Sequence, residues 1–137
     1  MLPPPTGACM LPLILLVEDE AATALLLEDA LEAGGYEVRV AASGDEALAI
    51  LEEIDPDISG LVTDIRLGEG PNGWELARIA RERHAGLPVV YVSGDSAPDH
   101  TSQGVPGSMM VQKPFATAQI ITAISALLTN APISDAT

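Results

Sequence analysis

Aromatic residues are scarce in this chain: one Trp, two Tyr and one Phe in 137 residues. A core must therefore be built mainly from Leu, Ile, Val and Ala. The supply is ample, since 47 % of the chain is hydrophobic, which excludes a disordered protein. Cysteine occurs once, at Cys9, so no intrachain disulfide can form. A single thiol fits a reducing compartment, and a cytoplasmic location is expected. Basic residues number six against twenty acidic ones, for a net charge of -14. No Lys/Arg cluster offsets that balance. Nucleic acid and anionic membranes bind through cationic patches, so neither is expected as a partner.

Long apolar runs are missing too. The longest, Leu13–Val17, is far too short to span a bilayer. No basic residue precedes it, so the n-region of a signal peptide is lacking. Nor is there a Gly-rich turn after this run or a Gly-Lys-Ser/Thr loop, which argues against a nucleotide cofactor.

What is present is an alternating pattern. Residues 1–10, with Pro3-Pro4-Pro5, predict a flexible lead-in. Residues 11–129 predict one domain, and 130–137 a polar tail that frays. Leu13–Val17 reads as a strand covered on both faces. Ala21–Ala33 reads as a helix stopped by Gly34-Gly35. Glu37–Ala41 follows as strand two. Ser43 and Glu46 carry the spacing of a capping box that opens a helix ending before Pro56. Ile58–Thr63 is strand three, and a Gly-rich loop then leads to a helix over Trp74–Arg83. Pro88–Val92 and Met109–Gln112 are strands four and five. Thr117–Leu128 closes the pattern as a helix with one apolar face. Residues Ser96–Ser108, with their prolines and glycines, allow only a short or mobile helix. The predicted fold is α/β, flavodoxin-like: a doubly wound sheet of five parallel strands with helices on both faces.

In such sheets ligands bind beyond the carboxyl ends of the strands. Those ends carry Glu18-Asp19-Glu20, Thr63-Asp64, Ser93-Gly94 and Lys113-Pro114-Phe115. Adjacent carboxylates make one another costly to ionise, and a hard cation such as Mg²⁺ relieves this. A lysine supplies a point charge for a phosphoryl oxygen, and a serine hydroxyl can donate to another. These parts suit in-line phosphoryl transfer, in which a carboxylate can itself be the nucleophile.

The segments LILLVEDE, LVTDIRL, NGWELA, PVVYVSG and VQKPF occur in that order. With them, residues 12–129 resemble a two-component response-regulator receiver domain of the stand-alone type. The resemblance implies that Asp64 is the phosphoacceptor. It implies that Glu18, Asp19, Asp64 and the backbone carbonyl of Arg66 hold Mg²⁺, and that Ser93 and Lys113 bind the phosphoryl group. It implies a cis peptide bond before Pro114. It also implies a phosphodonor partner, either a histidine kinase or a histidine phosphotransfer protein. Signalling would follow by protein–protein interaction or onward phosphotransfer, with a homodimer as one form. Such a protein is a signalling domain, acting at most on its own phosphoryl group.

The chain departs from the family pattern at Met110, where a switch aromatic is usual. Gly68 and Gly94 stand where proline and alanine are usual, and the loop Arg66–Gly73 is about one residue longer. These departures imply a distinct switching geometry. Other readings compete. Glu18 and Asp19 alone would serve as acids at a helix start, and Glu20 is read that way. The chain could act as a binding module without phosphorylation. A magnesium phosphatase is disfavoured, because Asp64-Ile65-Arg66 breaks the Asp-x-Asp pattern. His84 and His100 read as surface residues, and Arg66 as a solvated loop arginine. Trp74, Met109 and Met110 read as packing residues. Tyr91 shares strand parity with Ser93 and could point to the same side.

Overall fold

A computed structural model describes residues 11–54, 58–94 and 99–129. The expected lead-in, the expected tail and Pro56 lie outside the described residues, as does the start of the Ser96–Ser108 segment. The described strands form one parallel sheet: β1 (Leu13–Val17), β2 (Glu37–Ala41), β3 (Ile58–Asp64), β4 (Val89–Ser93) and β5 (Met109–Gln112). Their order is β2-β1-β3-β4-β5, so β2 and β5 are the edges. The helices are α1 (Ala21–Ala33), α2 (Gly44–Ile54), α3 (Gly73–Arg83), α4 (His100–Gln103) and α5 (Thr117–Thr129).

Strand periodicity divides the core into two layers. Leu15, Val17, Leu61, Val89 and Tyr91 face α2 and α3, where Leu51, Trp74, Leu76 and Ala77 meet them. Ile14, Leu16, Val62, Val90 and Val92 face α1 and α5, against Leu27, Leu31, Ile120 and Ile124. Residues one apart point to opposite faces, so a strand buried on both sides must be apolar throughout. Each fully buried aliphatic side chain contributes roughly 1.5–3 kcal/mol, which is how aliphatic residues hold the fold with so few aromatics.

Several boundaries shift by one residue, for local reasons. β4 begins at Val89, because Pro88 has no N–H for the ladder; its carbonyl still accepts from Leu61 N–H at 2.9 Å. α3 begins at Gly73, behind an Asn72 cap: Asn72 Oδ1 accepts from Glu75 N–H at 2.9 Å, and Glu75 Oε1 accepts from Asn72 N–H at 3.0 Å. At α2, Ser43 Oγ accepts from Glu46 N–H, but the Glu46 carboxylate reaches back to the N–H of Ala42, one residue beyond the expected cap. α4 is a single short turn, because Gly104 follows it and the segment offers little apolar periodicity.

Three expectations need correction. Met109 is 38 % exposed, because it opens an edge strand and lines an open groove beside α5. His100 is not a plain surface residue. It is half-buried, its ring stacked on Trp74 at 6.5 Å and edge-on to Tyr91 at 5.7 Å. His84 is likewise half-buried and closes α3, its N–H donating to Ala80 O.

Candidate functional site

Parallel strands deliver their last residues to one end of the sheet, and three carboxylates collect there. Glu18 follows β1 and is 2 % exposed; Asp64 ends β3 and is 7 % exposed; Asp19 is open to solvent. One ligand oxygen from each lies within 4.8 Å of the others. That spacing lets a single divalent cation touch all three, and Mg²⁺ favours carboxylate oxygens with retained water.

Short hydrogen bonds fix the orientation of these groups. Asp64 Oδ1 accepts from Ile65 N–H at 2.7 Å, while Oδ2 takes the Lys113 ammonium at 2.9 Å. Lys113 also stands 3.8 Å from Glu18 Oε1, and Glu18 Oε2 accepts from Glu20 N–H at 3.1 Å. The Asp64 carbonyl accepts from the Thr63 hydroxyl at 2.8 Å. Gly73 seals the return of the loop after β3. Its N–H donates to Ile65 O at 2.8 Å, and a Cβ there would fall on the Asp64 carbonyl oxygen. Any larger residue would push α3 off the site.

The electrostatics show what the cluster is short of. Burial pushes the Glu18 carboxyl up to about 7, the Glu20 N–H opposes that, and the Asp64 charge adds to it. Lys113 counters weakly and Asp19 adds a little more. Burial pulls the Lys113 ammonium down, but its hydrogen bond to Asp64 and the charges of Asp64 and Glu18 outweigh this and raise it. One lysine cannot balance three carboxylates, so the pocket draws cations.

The remaining strand ends converge on the same place. Ser93 is buried at the end of β4, and its carbonyl accepts from Lys113 N–H at 2.8 Å. The Lys113–Pro114 peptide is cis. Arg66 lies exposed in the loop after β3, beside an open cavity of ≈ 330 Å³ shared with Asn72, Trp74 and Asp99. Met110 packs on the far layer with Tyr91, its direct neighbour across the β4–β5 ladder.

A polar and aromatic cluster beneath this site was not foreseen. Trp74 and Tyr91 pack at 4.6 Å between ring centres. The Tyr91 hydroxyl accepts from Val105 N–H at 3.0 Å, and Ser108 Oγ bridges Val105 O at 2.6 Å and His100 Nε2 at 2.8 Å. Tyr91 stands one strand inward of Met110, its direct neighbour across the β4–β5 ladder. Shared parity with Ser93 was the one sequence signal for it.

The family model described as the response regulator receiver domain matches residues 14–125. Among solved structures, a response regulator receiver protein from Sinorhizobium medicae WSM419 is 44 % identical with a TM-score of 0.83, covering 87 % of this chain and 95 % of that one. The sensor kinase CckA of Brucella abortus (strain 2308) is 36 % identical over 118 residues, 84 % of this chain but 12 % of that protein. The phosphate regulon transcriptional regulatory protein PhoB of Rhizobium meliloti (strain 1021) is 36 % identical over 126 residues, 89 % of this chain and 54 % of that protein. The chain thus spans about half, or far less, of these curated relatives. Among the described residues no helix is long and apolar enough to cross a membrane.

Proposed function

The chain belongs to the response regulator receiver family, and from that premise we propose that it accepts a phosphoryl group on Asp64. Receiver domains are signalling domains rather than classical enzymes, and histidine kinases are their phosphoryl source. The donor here is a histidine kinase or a histidine phosphotransfer protein. The reading rests above all on one observation: Asp64 is held between Lys113 at 2.9 Å and the acidic pair Glu18 and Asp19, whose ligand oxygens lie within 4.8 Å of its own.

In the proposed transfer, an Asp64 carboxylate oxygen attacks phosphorus in line. The P–N bond to the donor histidine breaks as the P–O bond forms, and the departing imidazole nitrogen keeps the electron pair. Glu18, Asp19, Asp64 and the carbonyl of Arg66 would hold Mg²⁺, which supplies positive charge against the phosphoryl oxygens. The Lys113 ammonium leaves its ion pair with Asp64 and meets one of those oxygens. The buried Ser93 hydroxyl donates to another. Because Asp64 is poised by its neighbours, the chain's contribution is positioning and charge balance.

Signal leaves as a change in protein–protein contact or as onward phosphotransfer. Met110 cannot act as a rotating aromatic. The shift of Ser93 toward the phosphoryl group instead passes along β4 to Tyr91 and the Val105–Ser108 turn. Acetyl phosphate with Mg²⁺ tests the assignment directly. Intact-mass analysis should find one phosphoryl group on the wild type and none on Asp64→Asn. Label that survives this substitution unchanged would refute it.

A further inference from the structure

The acidic pocket is built on the ends of β1 and β3, but the junction of β2 with α2 is tied to both. On one side Ala41 O accepts from Glu18 N–H at 3.0 Å, which holds the backbone of the first carboxylate. On the other side the first turn of α2 meets the loop after β3, where Glu69 O accepts from Asp45 N–H at 3.1 Å. Residues 41–45 thus bridge the two halves of the pocket, although none of them is among the three carboxylates that gather there.

At the loop contact backbone meets backbone. A Cβ on Gly44 would fall on the Pro71 carbonyl oxygen, with the Pro71 nitrogen 2.8 Å away. Gly44 is buried and its φ is not positive. Alanine is the better helix former, so helix geometry gives no reason for glycine at this position. The close approach of Pro71 does. Gly70 completes the contact from the loop side: its φ is 86°, and a Cβ there would collide with the Asp45 backbone nitrogen and carboxylate. Pro71 has a fixed φ, so the loop cannot swing aside as the tip of a side chain would. Nearer β3, Ile65 and Leu67 are both buried in the core layer under α2 and α3, so the backbone of Arg66 is held between two anchors.

On the reading of Asp64 and its neighbours as a Mg²⁺-dependent phosphoacceptor site, we propose that Gly44 and Gly70 are positioning residues for that site. By letting α2 and the loop meet without side chains between them, they set how far the Asp64–Arg66 segment stands from Glu18. Mg²⁺ is exacting about such distances, since it demands near-octahedral oxygens at about 2.0–2.1 Å. A methyl group at either glycine wedges the loop outward from α2. The loop then carries Asp64 and the Arg66 carbonyl with it and leaves Glu18 behind on β1. Every ligand is still present, but the set no longer closes around one cation.

Mg²⁺ titration of the full chain, read as the rise in thermal midpoint, tests the proposal together with acetyl phosphate labelling followed by intact mass. Gly44→Ala and Gly70→Ala, with circular dichroism like that of the wild type, should need about tenfold more Mg²⁺ for the same rise. Their labelling at subsaturating Mg²⁺ should fall by a like factor. Gly60→Ala is the control. A Cβ there would lie 3.0 Å from the Ile14 side chain and 3.1 Å from that of Ile124, so it disturbs the core behind β3 and not the loop. It should change the metal-free midpoint and leave the Mg²⁺ response as it was. Should Gly44→Ala fail to fold, Gly70→Ala decides, because Gly70 is exposed. A wild-type Mg²⁺ response in either glycine variant that folds, or an equal loss in Gly60→Ala, would overturn the proposal. If the wild type is labelled on Asp64, that result leaves the phosphoacceptor reading intact. A wild type with neither label nor Mg²⁺ response would sink both.

Discussion

Carboxylates crowd the carboxyl end of the sheet, while charge is almost absent from its α4–β5–α5 side. The same acidic chain builds both regions. At the strand ends Glu18, Asp19 and Asp64 come within 4.8 Å, and burial, with the Asp64 charge adding to it, holds Glu18 at about 7. On the flank, α5 runs thirteen residues without a charge. The difference teaches that the position of charge, more than its total, separates a site that attracts cations from a neutral surface.

The largest expected effect separates the two regions outright. Asp64→Asn should reduce phosphoryl labelling by about a hundredfold or more, because it removes the proposed nucleophile. Its circular dichroism should match the wild type. Loss of both would mean that the substitution unfolds the chain.

Metal comes next. Saturating Mg²⁺ should stabilise the wild type by roughly 1–3 kcal/mol through binding the folded state alone, read as a rise in thermal midpoint that chelation reverses. Asp64→Asn should lose most of that rise. An equal rise in both proteins would place the cation elsewhere.

A smaller effect tests the crowding itself. Without metal, Glu18→Gln should stabilise the protein by about 1 kcal/mol, since it removes one buried like charge and keeps an acceptor for Glu20 N–H. Urea unfolding at neutral pH measures this. Destabilisation would show that the ion pair with Lys113 outweighs the repulsion.

The finest test concerns the strand between the regions. Tyr91→Phe removes the acceptor for Val105 N–H and should cost about 1 kcal/mol. Amide exchange should speed up over residues 104–108 and not in α5. Unchanged exchange there would show that the hydroxyl does not hold the turn.

Much of this fold was legible in the sequence. β1, β2, β5 and α1 have the residue limits that apolar runs and glycine stops predict. The grouping of Glu18, Asp64 and Lys113 was legible as well, because parallel strands carry their terminal residues to one end whatever the details of packing. Other features depend on neighbours distant in sequence. The stacking of His100 on Trp74 needs α3 and α4 to meet, which no local pattern reports. Met109 is exposed because the β5 edge opens onto a groove beside α5. The Asn72–Glu75 cap is a different case: its spacing was present in the sequence and went unread.

The lone tryptophan gives the molecule a built-in optical probe. Trp74 lies where α3, β4 and α4 meet, in ring contact with Tyr91 and His100. Indole emission from this chain therefore reports a single location. Any ligand that shifts β4 against α4 becomes visible without an attached dye, in a protein otherwise nearly silent at those wavelengths.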